Sequence, residues 1–591
     1  MADLKLQYIP ESRRILLSTS ELSVGWMNIR RVCQERTSEF EDNGPTAFSV
    51  PSWCFLSVRK AIGHHIASNG LSFEVDANVQ NLLEDANSHE RSFTEVTTSA
   101  FSKESLPQVL LSKAFVRPLT PEQLNNVLAL VNFSAAATFS VPGAGKTTEA
   151  LAYFTLLSGD DSRLLVIAPK NAFAAWEEQL ASCLPSYTDD ICRLTGGQTA
   201  ISRSLERPPK FLLVTYQQVP TIVDLLGQFL TSHRSMLFLD ESHRMKKGLD
   251  GVIGKAVLSL AHLPQKKLIM SGTPMPNSLE DLVPQFSFLY PEMNADKENV
   301  IELVKKVSVR TTKTQLGLPP ITQVIRNVDL TPSQRHLYTL IKSEVAREAA
   351  GLRIKDRAML RRFGNSVLRL LRLVSNPMLL NLEAGLHEGL LSEILSEEDS
   401  PKMAYVCNRA RQLAREGQKT VIWSAFVDNV ELISARLSDL GADFIHGGVE
   451  AGSEEEDQTR EFKIRRFHDD DQAKVLVANP AACSEGISLH TVCHHAIYLD
   501  RNFNAAQFLQ SQDRIHRLGL PKDQATFIEI VRCPDTVDEV VDRRLRSKVQ
   551  AMSEVLDDPS LKYDPVVMDP DVIDLDDGDV AEILNYLKES N

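Results

Sequence analysis

The chain lacks the features that would place it in a membrane or outside the cell. Its long apolar stretches, such as LLVIAP and FLLVTY, fall far short of the roughly 20 residues that span a bilayer. No basic segment followed by an apolar one opens the sequence, so we expect no secretory signal. The eight cysteines are scattered, without a CxxC pair or zinc-like spacing, which indicates reduced thiols and no structural metal. We therefore expect a cytoplasmic protein, nucleoid-associated if prokaryotic, with no membrane partner.

An excess of positive charge is also missing, because the net charge is −14. Residues 551–591 carry twelve acidic side chains against two lysines, and residues 341–380 carry nine basic against three acidic ones. Much of the negative charge therefore belongs to an acidic tail, and a basic groove for nucleic acid can exist elsewhere. We expect this tail to be largely disordered, with VAEILNYLKES able to form a short helix.

No internal repeat of 20–50 residues stands out, but short apolar runs recur and end in polar or small residues. They are LLVIAPK, FLLVTYQ, MLFLDES, KLIMSGT, TVIWSAF, KVLVANP and HAIYLDR. Such runs are typical of parallel strands buried on both faces, and helical patterns alternate with them. At 591 residues the chain is too long for one ordinary core. The sequence therefore predicts an α/β protein with two parallel-sheet lobes.

The predicted domains follow from where these runs lie. They are an N-terminal α+β accessory domain (1–112), a first lobe (113–305), a second lobe (306–552) with a basic helical insertion at about 330–398, and the acidic tail (553–591). Any protein partner is expected at the N-terminal domain or the tail.

The stretch TFSVPGAGKTTEALAYF resembles a phosphate-binding loop without its usual first glycine, since Ser140 stands there. A glycine-flanked turn between a strand and a helix directs backbone N–H groups at an anion. Lys146 would contact the β- and γ-phosphates of ATP, and the Thr147 hydroxyl would bind Mg²⁺. The expected nucleotide-binding residues here are Gly143, Ala144, Gly145, Lys146, Thr147 and Thr148. The alternative is an ordinary turn between a strand and a helix.

A second motif, MLFLDESH, places two carboxylates at the end of a strand. Asp240 would hold Mg²⁺, and Glu241 would orient or deprotonate the attacking water. A surface turn is the alternative for such a motif taken alone. Both motifs together, on predicted parallel strands, favour an ATPase.

These motifs resemble the Swi/Snf-related branch of superfamily-two helicase-like ATPases. The resemblance extends along most of residues 113–550 and rests on DESHRMKKG, MSGTPMPNSLEDLVPQFSFLYPEM, VIAPKNAFAAWEEQL, LRLVSNPMLL and LDRNFNAAQFLQSQDRIHRLG. The family itself lacks the first glycine of the phosphate-binding loop, so Ser140 does not argue against ATP binding. The resemblance implies two RecA-like lobes, with the helical insertion in the second.

The resemblance also implies roles for single residues. Gln123 would read adenine, Thr273 would relay the nucleotide state, and Gln510 would contact the nucleotide or a neighbouring motif. Contacts to the DNA backbone would come from Lys170, Thr215, Ser424 and His446. Three of these have simpler interpretations, since Lys170 may start a helix and Ser424 and His446 may be turn residues.

The stretch LDRNFNAAQFLQSQDRIHRLG resembles motif VI of the family. Two of its arginines are the expected charge stabilisers of the transition state. Arg514 and Arg517 would share one face if AQFLQSQDRIHRL is helical. An inserted arginine is worth roughly 10³–10⁵ in rate in related enzymes. Because these arginines belong to the second lobe, hydrolysis would depend on lobe closure. A solvated basic helix face is the alternative.

The function expected from the sequence is ATP-dependent translocation along double-stranded DNA, with hydrolysis coupled to lobe closure. The compact chain suggests prokaryotic or phage DNA repair, remodelling or defence. Arg353, Lys355, Arg357, Arg361 and Arg362 of the insertion are expected to contact the duplex backbone or a partner. The alternatives are a strand-separating DNA or RNA helicase, and a DNA-binding scaffold with a weakened ATPase. Cys483 and Ser484, which stand where the family commonly has glycines, suggest the scaffold.

Overall fold

The computed structural model describes residues 3–94, 101–319, 321–350, 357–380, 388–397, 399–450, 458–483, 487–521, 523–558, 561 and 577–588. These residues form two compact units. The first comprises Met1–Pro274 and Leu279–Thr311, and the second comprises Met275–Ser278 and Thr312–Asn591. No helix within the described ranges is long and apolar enough to cross a membrane.

The first unit begins with a small α+β region. Its elements are β1 (Leu4–Ile9), β2 (Arg14–Thr19), α1 (Val24–Gln34), β3 (Glu41–Asp42), β4 (Ala47–Pro51), α2 (Ser52–Ser68), β5 (Phe73–Val75), α3 (Ala77–Thr94) and α4 (Leu106–Ser112). The strands form one sheet in the order β3-β4-β2-β1-β5. Alternate residues of β1 and β2 are buried, including Leu4, Leu6, Ile15 and Leu17, as expected for a sheet with one face on a core.

This N-terminal region packs firmly against the rest of the first unit. The Trp53 indole ring lies against Gly227, where any Cβ would overlap the ring. Arg59 pairs with Glu292, and both side chains are about nine-tenths buried. Because breaking a buried ion pair is costly, these contacts fix the region to its neighbour.

The remainder of the first unit is built around a seven-stranded sheet. Its elements are α5 (Pro121–Leu130), β6 (Ala135–Thr138), α6 (Lys146–Leu157), β7 (Arg163–Ala168), α7 (Phe173–Cys183), β8 (Ile191–Arg193), α8 (Gly197–Glu206), β9 (Phe211–Thr215), α9 (Val223–Ser232), β10 (Ser235–Asp240), α10 (Val252–Ser259), β11 (Lys266–Met270), α11 (Leu282–Leu289), α12 (Val300–Val307) and β12 (Ser308–Val309). The strand order is β12-β6-β11-β10-β7-β9-β8, and every pairing is parallel. The unit ends at Thr311, close to the predicted end of the first lobe at residue 305.

The second unit contains a six-stranded sheet in the order β13-β18-β17-β14-β16-β15. Its elements are β13 (Ile321–Asn327), α13 (Pro332–Ala350), α14 (Arg357–Ser375), α15 (Glu388–Ser396), α16 (Pro401–Arg415), β14 (Lys419–Trp423), α17 (Val427–Arg436), β15 (Asp443–Ile445), α18 (Arg460–Asp469), β16 (Val475–Ala478), α19 (Pro480–Cys483), β17 (Cys493–Tyr498), α20 (Ala505–Gln512), β18 (Thr526–Arg532), α21 (Val537–Val555) and α22 (Asp577–Lys588). All its pairings are parallel. The predicted α/β class with two parallel-sheet lobes is confirmed, and all seven apolar runs are strands.

The insertion predicted at about 330–398 contains the helices α13, α14 and α15. Arg362 is exposed on α14, whereas Arg369 of the same helix lies 3.4 Å from Glu344 of α13. Arg353 and Lys355 lie outside the described residues, as do the side chains of Arg357 and Arg361. Contact of this basic group with DNA or a partner stays a prediction.

Residues 577–588 of the acidic tail form a packed helix, α22. Val580, Ile583, Tyr586 and Leu587 are buried in one apolar cluster with residues of α13, α14 and α21. A short amphipathic helix gains its stability from such packing rather than from its own propensity. The short helix expected from VAEILNYLKES is therefore confirmed, with Asp577 as its first residue.

One buried carboxylate attaches α22 to α21. The Asp579 side chain is fully buried, and its oxygens accept hydrogen bonds from Arg544 Nε at 2.7 Å and Lys548 Nζ at 2.8 Å. Lys548 Nζ also donates to the Phe503 carbonyl, 2.8 Å away, near the start of α20. Asp579 thereby attaches α22 to α21, and Lys548 connects α21 to Phe503 within the stretch that resembles motif VI.

We expect Asp579→Ala to destabilise the second unit, because it leaves two basic groups buried without their carboxylate. The expected loss in the free energy of unfolding is about 3–5 kcal/mol, measured by denaturant unfolding of the full chain. Glu582→Ala on the same helix is the matched control, since the Glu582–Arg543 pair is 32% and 48% exposed. Its expected effect is about 1 kcal/mol or less. Equal effects of the two substitutions would contradict the assignment of Asp579 as the anchor.

Candidate functional site

The polar motifs of the first unit lie at the carboxyl ends of neighbouring strands. Strand β11 pairs with β6 on one side and with β10 on the other. The loop after β6 leads to Lys146 at the start of α6, the loop after β11 contains Thr273, and β10 ends at Asp240. In a parallel sheet these ends meet at one edge, which is where ligands bind. The predicted nucleotide-binding residues of this unit are therefore brought to one edge of the sheet.

The loop between β6 and α6 has the backbone of an anion-binding turn. Gly143 and Gly145 adopt positive φ angles of 86° and 87°, a region that side chains disfavour. Gly145 is the N-cap of α6, so the first N–H groups of this helix face the loop. Lys146 Nζ donates to the Ser140 carbonyl at 3.0 Å, which folds the lysine back over the loop. Ala144 is buried within it.

Ser140 has a structural role that explains its place in the loop. Its side chain is fully buried, and its Oγ accepts a hydrogen bond from the Thr311 N–H at 3.0 Å. A glycine at this position could not make that bond. The unusual residue therefore attaches the loop to the end of the first unit and does not obstruct it.

The two threonines that follow Lys146 differ in their surroundings. Thr148 is buried, and its hydroxyl donates to Gln179 Oε1 at 3.1 Å. Thr147 is only partly buried. The structure thus leaves Thr147, the predicted Mg²⁺ ligand, as the more accessible hydroxyl.

Gln123, the predicted adenine contact, supports the loop directly. Its amide N–H and side-chain oxygen form a capping box with Thr120 at the start of α5. Its Nε2 donates to the Ala144 carbonyl at 3.0 Å. The carboxamide therefore bonds both the helix start and the nucleotide loop, and the adenine contact stays a prediction.

The two carboxylates after β10 are held differently. Asp240 Oδ2 accepts a hydrogen bond from Trp176 Nε1 at 2.9 Å, and Oδ1 accepts one from the Glu241 N–H at 3.0 Å. Glu241 has a φ of 51°, which is rare for a residue with a side chain. Such backbone strain is concentrated at functional sites. The left-handed backbone of Glu241 therefore marks this turn as a candidate functional position.

The end of β11 contacts this turn through Ser271. Its hydroxyl lies 3.0 Å from His243 Nδ1 and 3.5 Å from Glu241 Oε2, and it accepts the Thr273 N–H at 3.1 Å. Burial lowers the pKa of His243 to about 3, so the imidazole is neutral at neutral pH. Thr273, the predicted relay, is thereby joined to the predicted catalytic glutamate through one serine.

Two further predicted DNA-contacting residues also follow strands of this sheet. Lys170 is exposed directly after β7. Thr215 ends β9, and its hydroxyl lies 3.3 Å from both the N–H and the Oε1 of Gln218. Both stand at the same edge of the sheet, and their contact with DNA stays a prediction.

In the second unit, Arg514 and Arg517 do not share a helical face, because α20 ends at Gln512. Arg514 donates to the carbonyls of Gln510 at 2.9 Å and Ile487 at 2.8 Å, which holds the chain in a turn. Gln510 itself is buried. Burial lowers the pKa of Arg517, and its guanidinium makes no hydrogen bond within the described residues. Arg517 is therefore the better placed of the two arginines to receive a ligand.

The remaining predicted residues of the second unit are less accessible. Ser424 is fully buried, and its hydroxyl donates to Asp500 Oδ2 at 2.7 Å. His446 Nδ1 accepts the Gly448 N–H at 3.1 Å, and its Nε2 lies 3.0 Å from Glu431 Oε1. The hydroxyl of Ser424 is thus hydrogen-bonded within the second unit. Contact of Ser424 and His446 with DNA phosphates stays a prediction. Ser484 lies outside the described residues.

The sequence analysis did not identify the side chains that position the predicted site residues. Trp176 orients Asp240, Ser271 links Glu241 to His243, and Asn126 and Glu149 lie beneath the loop. Ser271 and His243 stand inside the quoted motifs MSGTP and DESH, so their proximity to the site could have been inferred. Trp176 and Asn126 belong to ordinary amphipathic helices and carry no such signal.

The residues at this edge fit a nucleotide and a divalent cation. The positive φ of Gly145 and the Gln123 side chain above it leave no room for a Cβ, so the backbone itself lines the loop. Carboxylate and hydroxyl oxygens, here from Asp240 and Thr147, are ligands that Mg²⁺ prefers. Lys146 and the start of α6 supply positive potential for phosphates.

Comparisons with known proteins agree with this arrangement. Two protein-family models match the sequence, an SNF2-related domain over residues 139–299 and a helicase conserved C-terminal domain over residues 401–519. Apart from Met275–Ser278, the first match lies within the first unit, and the second match lies within the second unit. The first match includes the Lys146 loop, the Asp240–Glu241 turn and Thr273, and the second includes Arg514 and Arg517.

Several curated relatives align over much of the chain. The Saccharomyces cerevisiae nuclear protein STH1/NPS1 is 22% identical over 70% of this chain and 33% of its own length. Protein CHROMATIN REMODELING 19 of Arabidopsis thaliana is 22% identical over 70% of this chain and 65% of its own. The chain thus spans about one fifth to two thirds of the length of the curated relatives that it matches.

A solved structure is also similar, the Sulfolobus solfataricus SWI2/SNF2 ATPase core in complex with dsDNA. It is 21% identical, with 80% of this chain and 97% of that chain covered and a TM-score of 0.33.

We expect Gly145→Ala to disrupt the loop. The added methyl would overlap Gln123 Nε2 and would have to adopt the φ of 87°, which costs about 1–2 kcal/mol for an L residue. Both the thermal midpoint and the affinity for ATP should fall, the affinity by about tenfold or more, as 1.4 kcal/mol is a factor of ten. Gly63→Ala on α2, where a Cβ meets nothing within 4 Å, should leave ATP affinity unchanged and should not lower the thermal midpoint, because alanine favours a helix interior over glycine. Normal ATP affinity in Gly145→Ala would contradict this geometry.

Proposed function

We propose that the chain, which matches an SNF2-related domain model over residues 139–299 and a helicase C-terminal domain model over residues 401–519, is an ATP-dependent translocase of double-stranded DNA. The observation that carries the proposal is the placement of the Lys146 loop, the Ser271–Thr273 segment and the Asp240–Glu241 turn at the ends of adjacent strands. This set combines phosphate binding, a nucleotide-sensing segment and two carboxylates. The chain matches only part of the length of its curated relatives, so the activity of the whole protein belongs to this proposal.

Each group in the first unit has a defined task in this proposal. Lys146 leaves the Ser140 carbonyl and neutralises phosphate charge, while Thr147 and Asp240 would hold Mg²⁺. When bound, Mg²⁺ neutralises charge on the phosphates and on the leaving group. Glu241 accepts the proton of the attacking water, and Ser271 keeps its carboxylate in contact with the Thr273 segment. Nucleotide state would therefore reach Thr273 through Ser271.

Double-stranded DNA is the proposed track for two reasons. The resemblance to Swi/Snf-type proteins includes the helical insertion, which here consists of α13, α14 and α15. The motif residues that we expect to bind DNA would contact only its sugar-phosphate backbone. Contacts of this type are independent of sequence and sensitive to salt. The setting in prokaryotic or phage repair, remodelling or defence stays a prediction from sequence.

Measuring ATP turnover with duplex DNA, single strands and RNA tests the proposal. We expect duplex DNA to give the greatest stimulation. A triplex-displacement assay should be positive, and a strand-displacement assay negative. Strand displacement would favour the helicase alternative, and turnover that no nucleic acid changes would favour the scaffold.

We expect Lys146→Ala to abolish ATP binding and Glu241→Gln to bind ATP but to hydrolyse it slowly. Loss of a general base costs roughly 10²–10⁴ in rate, and the amide keeps the shape of Glu241. Nucleotide titration and single-turnover hydrolysis separate the two effects. Glu178→Gln, at an exposed position of α7, is the control and should behave as wild type. Wild-type turnover in Glu241→Gln would exclude the proposed role of this carboxylate.

We expect Arg517→Ala to retain ATP affinity and to lose DNA-stimulated turnover by roughly 10³-fold or more, as for an arginine that acts in the transition state. Arg514→Ala should lower turnover and also the thermal midpoint, because its two main-chain carbonyl contacts are lost. Arg415→Ala, exposed on α16, should change neither. If both motif variants kept DNA-stimulated turnover, hydrolysis would not need an arginine from the second unit.

A further inference from the structure

Five buried polar side chains lie beneath the nucleotide loop, outside the set that we assign to ATP. They are Asn126 of α5, Thr138 of β6, Ser140 of the loop, Glu149 of α6 and Thr311, which follows β12. All are at most 9% exposed, and Thr138, Ser140 and Glu149 are fully buried. Buried polar groups need partners, and these residues supply them to one another.

Glu149 collects two hydrogen bonds. Its Oε1 accepts from Asn126 Nδ2 at 2.7 Å, and its Oε2 accepts from Thr138 Oγ1 at 2.9 Å. A hydroxyl has one hydrogen to donate, so Thr138 gives it to Glu149. When Glu149 is ionised, the hydrogen bond of 3.2 Å between the Thr138 and Ser140 hydroxyls is donated by Ser140.

The other side of the cluster closes through Thr311. The second hydrogen of Asn126 Nδ2 is donated to Thr311 Oγ1 at 2.9 Å. The Thr311 N–H is donated to Ser140 Oγ at 3.0 Å. The donors therefore run from Ser140 to Thr138 to Glu149, and from Asn126 to both Glu149 and Thr311, and Thr311 returns to Ser140. We call these five residues the polar ring.

The polar ring joins two functionally distinct points of the chain, alongside two main-chain hydrogen bonds from the Phe139 N–H to the Val309 carbonyl at 2.9 Å and from the Val141 N–H to the Thr311 carbonyl at 3.0 Å. Ser140 lies at the start of the nucleotide loop, and its carbonyl receives Lys146. Thr311 is the last residue of the first unit, and the chain enters the second unit at Thr312. A displacement at Ser140 would remove the acceptor of the Thr311 N–H. In a buried site, a network that is only partly satisfied is costly, so the ring favours movement of both points together.

We propose that the polar ring couples the nucleotide loop to the point where the chain leaves the first unit, with Glu149 as its positioning residue. The coupling to nucleotide rests on the proposed function, since it requires Lys146 to leave the Ser140 carbonyl when ATP binds. The closed bonding pattern is a property of the chain without nucleotide. The two parts can therefore be tested separately.

Thr138→Val opens the polar ring with little change of shape, because the methyl replaces only the hydroxyl. Thr155→Val is the matched control, since Thr155 is a buried threonine of α6 whose hydroxyl donates to the Leu151 carbonyl at 2.8 Å. The measurement is hydrogen exchange of the full chain, with mass spectrometry giving the exchange rates of two peptides. They are a loop peptide (138–147) and an exit peptide (308–314). Without nucleotide, we expect exchange in the exit peptide to be about tenfold faster in Thr138→Val, as 1.4 kcal/mol is a factor of ten, and unchanged in Thr155→Val.

With a non-hydrolysable ATP analogue and Mg²⁺, exchange in wild type and Thr155→Val should slow in both peptides. In Thr138→Val it should slow in the loop peptide alone. Protection of the exit peptide in Thr138→Val equal to that in wild type would overturn the proposal, as would equal exchange of the two variants without nucleotide. Ser140→Ala provides a second opening of the ring if Thr138→Val does not fold, and the same outcomes apply to it.

Failure of the proposed function gives a different result. If the analogue slows neither peptide in wild type, the loop does not bind ATP, and the nucleotide-free comparison still decides whether the polar ring holds the exit peptide. Glu149→Gln keeps an acceptor for Asn126 and offers a donor to Thr138, so it should retain most of the coupling. Loss of coupling in Glu149→Gln as complete as in Thr138→Val would contradict the bonding pattern.

Discussion

A strand that is buried on both faces can present a polar side chain to a ligand only where it ends, and this constraint organises the molecule. The central strands of the seven-stranded sheet are mostly apolar and buried between their ends. Their polar residues therefore collect at the carboxyl edge, where Lys146, Thr273 and Asp240 follow three adjacent strands. The chemistry proposed for the chain depends on this shared edge, because no two of these residues are close in the sequence.

Buried carboxylates hold the loops and helices around both sheets. Glu149 lies beneath the nucleotide loop, and Asp579 attaches the C-terminal helix. In the second unit Asp500, whose pKa is raised by burial, accepts hydrogen bonds from Ser424 and from the Ala425 N–H. A buried carboxylate needs several donors, and Asp500 and Asp579 receive theirs from a segment distant in the chain. Polar residues that are distant in sequence are thereby fixed relative to one another.

The N-terminal region illustrates a second kind of constraint. Its own sheet is too small to form a large core, and Trp53, Arg59 and Thr37 make contacts with the neighbouring part of the first unit. An exposed region joined by a flexible linker would not need such contacts. The close approach of Trp53 to Gly227 depends on the absence of a side chain at that glycine, and composition gives no indication of it.

The sequence by itself determined the α/β class, the strands and the candidate nucleotide loop, because burial imposes apolar runs and helix starts impose local capping patterns. The seven apolar runs are strands, and Lys146, Asp240 and Glu241 stand at strand or helix ends as their motifs predict. Tertiary contacts determine that α20 ends before Arg514, that Ser424 faces Asp500, and that the short helix expected from VAEILNYLKES packs on α13, α14 and α21. It also decided that Glu149 meets Asn126, Thr138 and, through them, Thr311. These outcomes depend on hydrogen bonds between residues far apart in the chain, and no local pattern of amino acids encodes which distant donor a buried acceptor will meet.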